Sequence, residues 1–196
     1  MRIDARHRLR EAEWQDSPHF DDRPSWAQPE LLVLHCVSLP QGQYGTGFPQ
    51  ALFRGELDPG VHPDFADLAG LEVAPHIFID RAGGLLQFVA FDKRAWHAGQ
   101  SVWSARNGCN AYSIGIELEG SVEGPYTAEQ YAVLLAVCVA LIQHYPALSP
   151  DAIVGHSDIA PARKTDPGPY FDWQGVQRSL HRQLAKACSA DGNGTL

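Results

Sequence analysis

The stretch ELLVLHCV at residues 30–37 is an apolar run of the length of a β-strand. Runs that are apolar at successive positions are typical of a strand buried on both faces of a sheet. We therefore predict a central strand over 30–37. Because side chains alternate along a strand, His35 and Cys36 should point to opposite faces, so only one of them can face a given site.

The chain on either side of this run predicts further strands and helices. Residues 74–80 and 85–91 flank Arg-Ala-Gly-Gly and predict a β-hairpin, and 111–119 predicts another strand. Thr127 and Gln130 form a capping-box pattern that begins a helix running to about Tyr145, where Pro146 follows. A last helix should begin after Asp172.

Strands interleaved with helices indicate an α/β fold, a mixed central β-sheet flanked by α-helices in a single domain. We expect a surface segment at 1–29, the main domain at 30–186 and a disordered tail at 187–196. Residues 38–72 are rich in Gly, Pro and Asp and should form a long loop with a short helical turn at 49–53. Loops of this length in a compact domain often line a binding cleft.

The composition excludes several classes of function. The chain has 196 residues, of which 44% are apolar, and a formal net charge of −8, so neither a nucleic-acid partner nor an anionic membrane is expected. The first residues lack the apolar stretch of a secretory signal, and no segment has the ~18 apolar residues of a membrane span. We therefore expect a cytoplasmic protein whose four irregularly spaced cysteines are free thiols.

Five side chains are of the kinds found in a hydrolytic zinc site. His35, His156 and Asp166 are potential ligands, and Glu117 and Lys164 are potential catalytic groups. Zinc with three protein ligands keeps a fourth position for water, as catalytic sites require. In the alternating strand SIGIELE at 113–119, Glu117 lies on the same face as Gly115 and could act as a general base.

Each of these residues also has an ordinary structural explanation. His35 could be a core histidine bonded to a backbone carbonyl, and Glu117 could form a salt bridge; Glu119 fits that second role better. Lys164 and Asp166 could be a surface ion pair, although an extended chain would place both on one side. Three further residues are candidates for contacts around the site. His97 could form a hydrogen bond to a metal ligand or contact the substrate. Trp96 could form a platform for a sugar, and Arg106 could bind a substrate carboxylate.

Six sequence motifs occur in an order that resembles the N-acetylmuramoyl-L-alanine amidase type 2 family, which includes peptidoglycan recognition proteins. They are LLVLHCVSLP, HPDFADL, APHIFIDRAG, FDKRAWHAG, CNAYSIGIELEG and GHSDIAPARKTDPGPYFDW. The resemblance covers about residues 15–185 and is strongest to the branch that processes 1,6-anhydro-muropeptides in cell-wall recycling. Phage relatives have Cys at the position of the third metal ligand. This chain has Asp166 there, which resembles the recycling branch.

This resemblance implies one Zn²⁺ bound by three residues, with two more in catalysis. His35, His156 and Asp166 would be the ligands, Glu117 the base and Lys164 the electrostatic stabiliser. Many relatives place a tyrosine before the histidine matching His76, where this chain has Pro75, so the base role falls on Glu117. The candidate substrate contacts are Trp96, His97 and Arg106, from their residue types and settings, and Cys36, which stands where the recycling branch has Asn.

The implied reaction is hydrolysis of the amide between (1,6-anhydro)-N-acetylmuramic acid and L-alanine in soluble muropeptides. Such recycling in the cytoplasm would indirectly limit β-lactamase induction, and the enzyme would act as a monomer. Three alternatives stay open at this point. They are a muropeptide-binding module without turnover, an amidase that acts on intact murein, and an unrelated zinc peptidase.

Overall fold

Residues 1–191 are described by the computed structural model of this protein. Their strands are β1 Glu13–Trp14, β2 Phe20–Asp22, β3 Leu31–Val37, β4 Ile77–Ile79, β5 Leu85–Gln87, β6 Lys93–Ala95, β7 Val102–Trp103, β8 Arg106–Asn107, β9 Ser113–Glu119 and β10 Ile153–Gly155. Their α-helices are α1 Phe48–Phe53, α2 Ala128–His144, α3 His156–Ile159 and α4 Trp173–Asp191.

The main sheet has six strands in the order β1-β5-β4-β9-β3-β10. Strands β4, β9, β3 and β10 are parallel, whereas β5 runs antiparallel to β4. The predicted mixed sheet is therefore confirmed, and β3 lies inside it as expected. Two small antiparallel pairs, β2 with β6 and β7 with β8, lie outside this sheet.

The predicted secondary structure is largely confirmed, with shorter strands. The hairpin is present, although its strands span only 77–79 and 85–87. Residues 109–111 form a 3-10 turn, so β9 begins two residues later than predicted. Helix α2 begins with the expected capping box between Thr127 and Gln130, and the helical turn in the long loop is α1.

The two faces of the sheet have different coverings. Even-numbered residues of β3 and β9, such as Leu34 and Ile116, pack against α2 and α4 in the largest core cluster. Odd-numbered residues such as Val33 pack against loop residues, α3 and the 109–112 turn. The long helices therefore cover one face, and the opposite face is left to loops that can form a site.

The N-terminal 29 residues are part of the domain as well as of its surface. Strand β1 adds an edge strand beside β5, and Leu9 is buried in the main core. The Arg23 guanidinium donates hydrogen bonds to the carbonyls of residues 91, 110, 111 and 113. Burial lowers the pKa of Arg23 to about 10.

Helix α4 continues to Asp191, beyond the tail boundary predicted at residue 187, and residues 192–196 lie outside the described part. Cys36, Cys109 and Cys138 are free thiols as expected, whereas the Cys188 side chain is outside the described part. Within residues 1–191 we find no helix with the length and apolar character needed to cross a membrane.

Candidate active site

Three side chains predicted as metal ligands converge on the loop-covered face of the sheet. The Nδ1 atoms of His35 and His156 are 2.9 Å apart. Asp166 Oδ2 lies 3.3 Å from the first nitrogen and 3.2 Å from the second. Both histidines are almost fully buried. The three residues thus form a group that can hold a metal ion.

Local folding explains why these residues meet. His35 is on β3, and His156 is the first residue of α3, directly after the neighbouring strand β10. Asp166 is on the following loop, where its carbonyl accepts a hydrogen bond from the Ser157 amide at 3.0 Å. The next carbonyl, that of Pro167, accepts from the Tyr126 hydroxyl at 2.7 Å. These bonds hold the Asp166 loop against α3 and against the segment that precedes α2.

The electrostatics favour unprotonated ligand atoms. Burial lowers the pKa of His35 to about 4, despite the nearby Asp166 carboxylate, so the imidazole is neutral at physiological pH. Burial alone would raise the pKa of Asp166, but its contacts with the two histidines hold it below its usual value. A neutral imidazole and an ionised carboxylate are the forms that bind metals.

Glu117 faces the same side of the sheet as His35, which is its direct partner in the parallel register. Its Oε2 atom is buried and has no hydrogen-bond partner within residues 1–191. Burial raises the pKa of this carboxyl well above its usual value; the Asp166 charge raises it further, and Lys164 opposes the rise. Such a buried carboxylate without a partner is typical of functional sites.

Glu119, two residues further along the same face, has a structural role. Its Oε1 accepts from the Gly45 amide at 2.6 Å and its Oε2 from the Arg81 amide at 3.1 Å. The carboxylate therefore joins the long loop and the β4–β5 turn to β9. The contrast supports the interpretation that Glu117, rather than Glu119, is available for chemistry.

The ligands line a cavity of about 180 Å³ together with Glu117, Lys164 and His97. Leu52, Phe53 and Leu71 of the long loop line it as well. A neighbouring cavity of about 410 Å³ shares Cys36, Val37, Lys164 and Asp166 with it. The structure therefore places Lys164 and Asp166 together at the same cavity, as predicted, and places the 38–72 loop beside the ligands.

A larger cavity of about 910 Å³, lined by residues 99–102 and 158–163 among others, contains none of the ligands.

The predicted substrate contacts are in different places. Cys36 is half-buried and packs against the core cluster on the helix-covered face, although it also lines the mouth of both cavities. Burial raises the pKa of its thiol to about 12. His97 lines the ligand cavity, and its Nδ1 lies 2.9 Å from His35 Nε2.

Trp96 and Arg106 are not among the residues that line the ligand cavity in the described chain. The Trp96 ring lies beside His19, with ring centroids 6.2 Å apart. Arg106 forms an ion pair with Glu30 at 2.5 Å and packs over the Tyr112 ring. The structure therefore does not bring Arg106 to the position expected of a cation that binds substrate at the ligands.

Sequence reasoning missed two residues that support the site. Asn110 Oδ1 accepts hydrogen bonds from the amides of His97 and Ala98 at 3.2 and 2.8 Å. Arg163 donates to the carbonyl of Ala98 at 2.8 Å, and the same carbonyl lies 3.2 Å from His156 Nε2. Asn110 lies in the motif CNAYSIGIELEG and Arg163 in GHSDIAPARKTDPGPYFDW, but only the folded chain brings both of them to Ala98 of the motif FDKRAWHAG.

Comparison with known proteins agrees with this geometry. Residues 25–169 match the family described as N-acetylmuramoyl-L-alanine amidase (Amidase_2). The 1,6-anhydro-N-acetylmuramyl-L-alanine amidase AmpD of Citrobacter freundii is 53% identical over 180 residues, which are 90% of this chain and 96% of that relative.

Solved structures give the same result. A crystal structure of a selenomethionine derivative of AmpD aligns with a TM-score of 0.88 and 50% identity, covering 92% of this chain and 99% of that one. The amidase AmiD of Escherichia coli, solved with the substrate anhydro-N-acetylmuramic acid-L-Ala-D-γ-Glu-L-Lys, aligns with a TM-score of 0.56 and 27% identity over 80% of this chain and 60% of that one. This chain therefore belongs to the N-acetylmuramoyl-L-alanine amidase family.

Proposed function

We propose that this protein is a zinc-dependent amidase that hydrolyses the bond between 1,6-anhydro-N-acetylmuramic acid and the L-alanine of muropeptides. The observation that carries the proposal is the convergence of His35, His156 and Asp166 beside Glu117 in one cavity. The substrate follows from the similarity to AmpD, which extends over nine-tenths of the chain.

The three residues fit a zinc ion. Ligand atoms about 2.0–2.2 Å from one tetrahedral zinc lie roughly 3.3–3.6 Å from each other. The three atoms here are 2.9–3.3 Å apart, so small movements would admit the ion. Two imidazoles and one carboxylate are a donor set of catalytic zinc. When bound, zinc would polarise the amide carbonyl and lower the pKa of a bound water.

Glu117 is the residue we assign as general base. Its carboxylate lies opposite His35 in the strand register, and one oxygen has no partner in the described chain. The free oxygen can take the proton of the attacking water and pass it to the leaving nitrogen of L-alanine. A bound dication would favour the ionised form of this carboxyl, against the effect of burial.

Lys164 is the residue we assign to electrostatic stabilisation. It lines the same cavity as Glu117 and the ligands, and as a cation it lowers the pKa of Glu117. Negative charge develops on the carbonyl oxygen during attack on an amide. An ammonium group held beside that oxygen stabilises the charge without reorganisation.

We further propose that the protein works on soluble muropeptides in the cytoplasm, as part of cell-wall recycling. The free thiols of Cys36, Cys109 and Cys138 suit a reducing compartment. Removal of these muropeptides would indirectly limit the induction of β-lactamase.

The test is incubation of purified 1,6-anhydro-muropeptide with zinc-loaded protein, analysed by mass spectrometry against a chelator-treated sample. Zinc-dependent release of the intact stem peptide supports the amidase. Unchanged substrate in both samples contradicts turnover and favours a binding module, and cleavage between amino acids indicates a peptidase. A parallel reaction with purified sacculi tests intact murein, and efficient release from sacculi would contradict the preference for soluble substrate.

A further inference from the structure

We propose that Asn110 is a positioning residue of the metal site, which acts on both histidine ligands through the segment 97–98. The inference rests on the metal-dependent function proposed above. Asn110 touches neither His35 nor His156 in the described contacts; it holds the backbone that carries their hydrogen-bond partners.

The contact to His156 is made by the carbonyl of Ala98. A carbonyl can only accept, so the His156 Nε2 atom, 3.2 Å away, must carry the proton. The lone pair of this imidazole is then on Nδ1, the atom that faces Asp166 and His35. The position of Ala98 thus selects the tautomer that can bind a metal.

The contact to His35 is made by the His97 side chain. A lone pair on His35 Nδ1 requires the proton on Nε2, which donates to His97 Nδ1 at 2.9 Å. His97 then carries its own proton on Nε2, which lies 3.1 Å from Ser113 Oγ. The chain of bonds from Ser113 through His97 to His35 is therefore consistent with one set of tautomers.

Asn110 determines where both partners lie. Its Oδ1 accepts hydrogen bonds from the amides of His97 and Ala98, which are consecutive residues. A single acceptor atom therefore holds both the residue that contacts His35 and the residue that contacts His156. Two N–H donors also define which end of the carboxamide is the oxygen. Arg23 in turn donates to the Asn110 carbonyl at 3.2 Å and to the Ala111 carbonyl at 2.9 Å, which anchors the turn that presents Asn110.

The experiment measures zinc affinity of the metal-free protein by competition with a chromophoric chelator, without any assay of turnover. Asn110→Ala and Asn110→Leu remove the acceptor, the second with a side chain that keeps the branching at Cγ, and should weaken zinc binding about 10–100-fold. Asn110→Asp retains an acceptor oxygen and should bind zinc close to wild type. Asn107→Ala, at an exposed position on β8, is the matched control.

A second readout separates positioning from general loss of structure. The ¹⁵N shifts of the ring nitrogens should report the Nε2–H tautomer of His156 in the metal-free wild type and a mixture of tautomers in Asn110→Leu.

Should the Asn110 variants fail to fold, two variants of His97 provide the test. His97→Phe removes the acceptor for His35, and His97→Asn supplies an oxygen near the position of Nδ1. The first should lose affinity and the second should recover it.

The outcomes distinguish this inference from the proposed function. Wild-type affinity in Asn110→Leu, or an equal loss in Asn110→Asp and Asn110→Ala, overturns the positioning role while the metal site stands. If His97→Phe binds zinc as tightly as wild type, the contact of His97 to His35 does not position the metal site. A wild-type protein that binds no zinc contradicts the metal site of the proposed function, and the inference fails with it.

Discussion

His35 and Glu117 are direct neighbours across the parallel strands β3 and β9, with both side chains on the face that the long helices leave uncovered. One strand pair therefore presents a ligand and the proposed base at a fixed separation. Because the pair lies inside the six-stranded sheet, neither residue depends on a loop for its position. Rigid elements of this kind hold catalytic groups more accurately than loops do.

The Asp166→Ala variant should lose both zinc and activity. The change removes the negatively charged ligand and leaves only the two imidazoles. Several kcal/mol of transition-state stabilisation depend on the metal, so kcat/KM should fall on the order of 10³-fold. Elemental analysis of the dialysed protein measures the zinc. Asp151→Ala, at a carboxylate that is 80% exposed, is the control, and stoichiometric zinc with full turnover in Asp166→Ala would refute the ligand assignment.

The Glu117→Gln variant should keep its zinc and lose most of its turnover. The amide has nearly the shape of the carboxylate but cannot accept a proton, so kcat should fall about 10²–10⁴-fold. Steady-state kinetics with a measured metal content tests this. The comparison is Glu119→Gln on the same face, whose carboxylate binds backbone amides; it should lower stability rather than kcat. A Glu117→Gln rate within a few-fold of wild type would remove Glu117 from the mechanism.

Gly115→Ala should disturb the His97 contact to His35. A Cβ at residue 115 would lie 2.4 Å from His97 Cγ, so the ring would have to move. Overpacking of this kind costs about 1–3 kcal/mol of stability, and zinc affinity should weaken as well. Urea unfolding and metal competition measure the two effects. Gly124→Ala, with no atom within 4 Å of its new Cβ, is the control, and an unchanged zinc affinity in Gly115→Ala would contradict the coupling.

The pH dependence of stability should contain a contribution from His76. This residue is fully buried, its Nδ1 accepts from the Gly115 amide at 3.0 Å, and its Nε2 lies 3.1 Å from the Lys93 carbonyl. Burial, with a smaller contribution from Arg23, lowers its pKa well below 6.5. Below pH 6.5 the unfolded chain therefore binds a proton that the folded chain does not. Stability should fall by about 1.4 kcal/mol per pH unit for this group as the pH decreases.

The measurement is urea unfolding of the metal-free protein between pH 4.5 and 8, for wild type and His76→Asn. The asparagine oxygen can still accept from the Gly115 amide, but it does not titrate. The slope of the free energy of unfolding against pH should be shallower in the variant by about one proton below pH 6.5. Identical slopes would show that His76 is protonated equally in the folded and unfolded chains.

Much of this site follows from the alternation of side chains along strands. The pattern of ELLVLHCV and SIGIELE predicts that His35 and Cys36 face opposite sides and that Gly115 and Glu117 share a face; the structure agrees. The space beside Gly115 is occupied by His97, however, which the sequence does not indicate. That contact depends on how a loop folds over the sheet, and no local periodicity encodes it.

The positions of Arg106 and Asn110 could not be predicted for a similar reason. An arginine in a loop is a plausible partner for a substrate carboxylate, but here Glu30, far away in sequence, forms the ion pair with Arg106. Asparagine is common in turns, so nothing in the sequence distinguishes Asn110 from an ordinary turn residue. Its importance arises only because the turn brings its carboxamide to the amides of two residues that precede it by 12 and 13 positions.

The N-terminal segment has a practical consequence for anyone who shortens this protein. The family match begins at residue 25, which suggests a convenient place to start an expressed fragment. A fragment starting there would lack β1, leaving the backbone of β5 as an open sheet edge, and open edges promote association between molecules. It would also lack Arg23, so the carbonyls of residues 110, 111 and 113 would lose a hydrogen-bond donor. Deletion of these residues should therefore produce an aggregating protein.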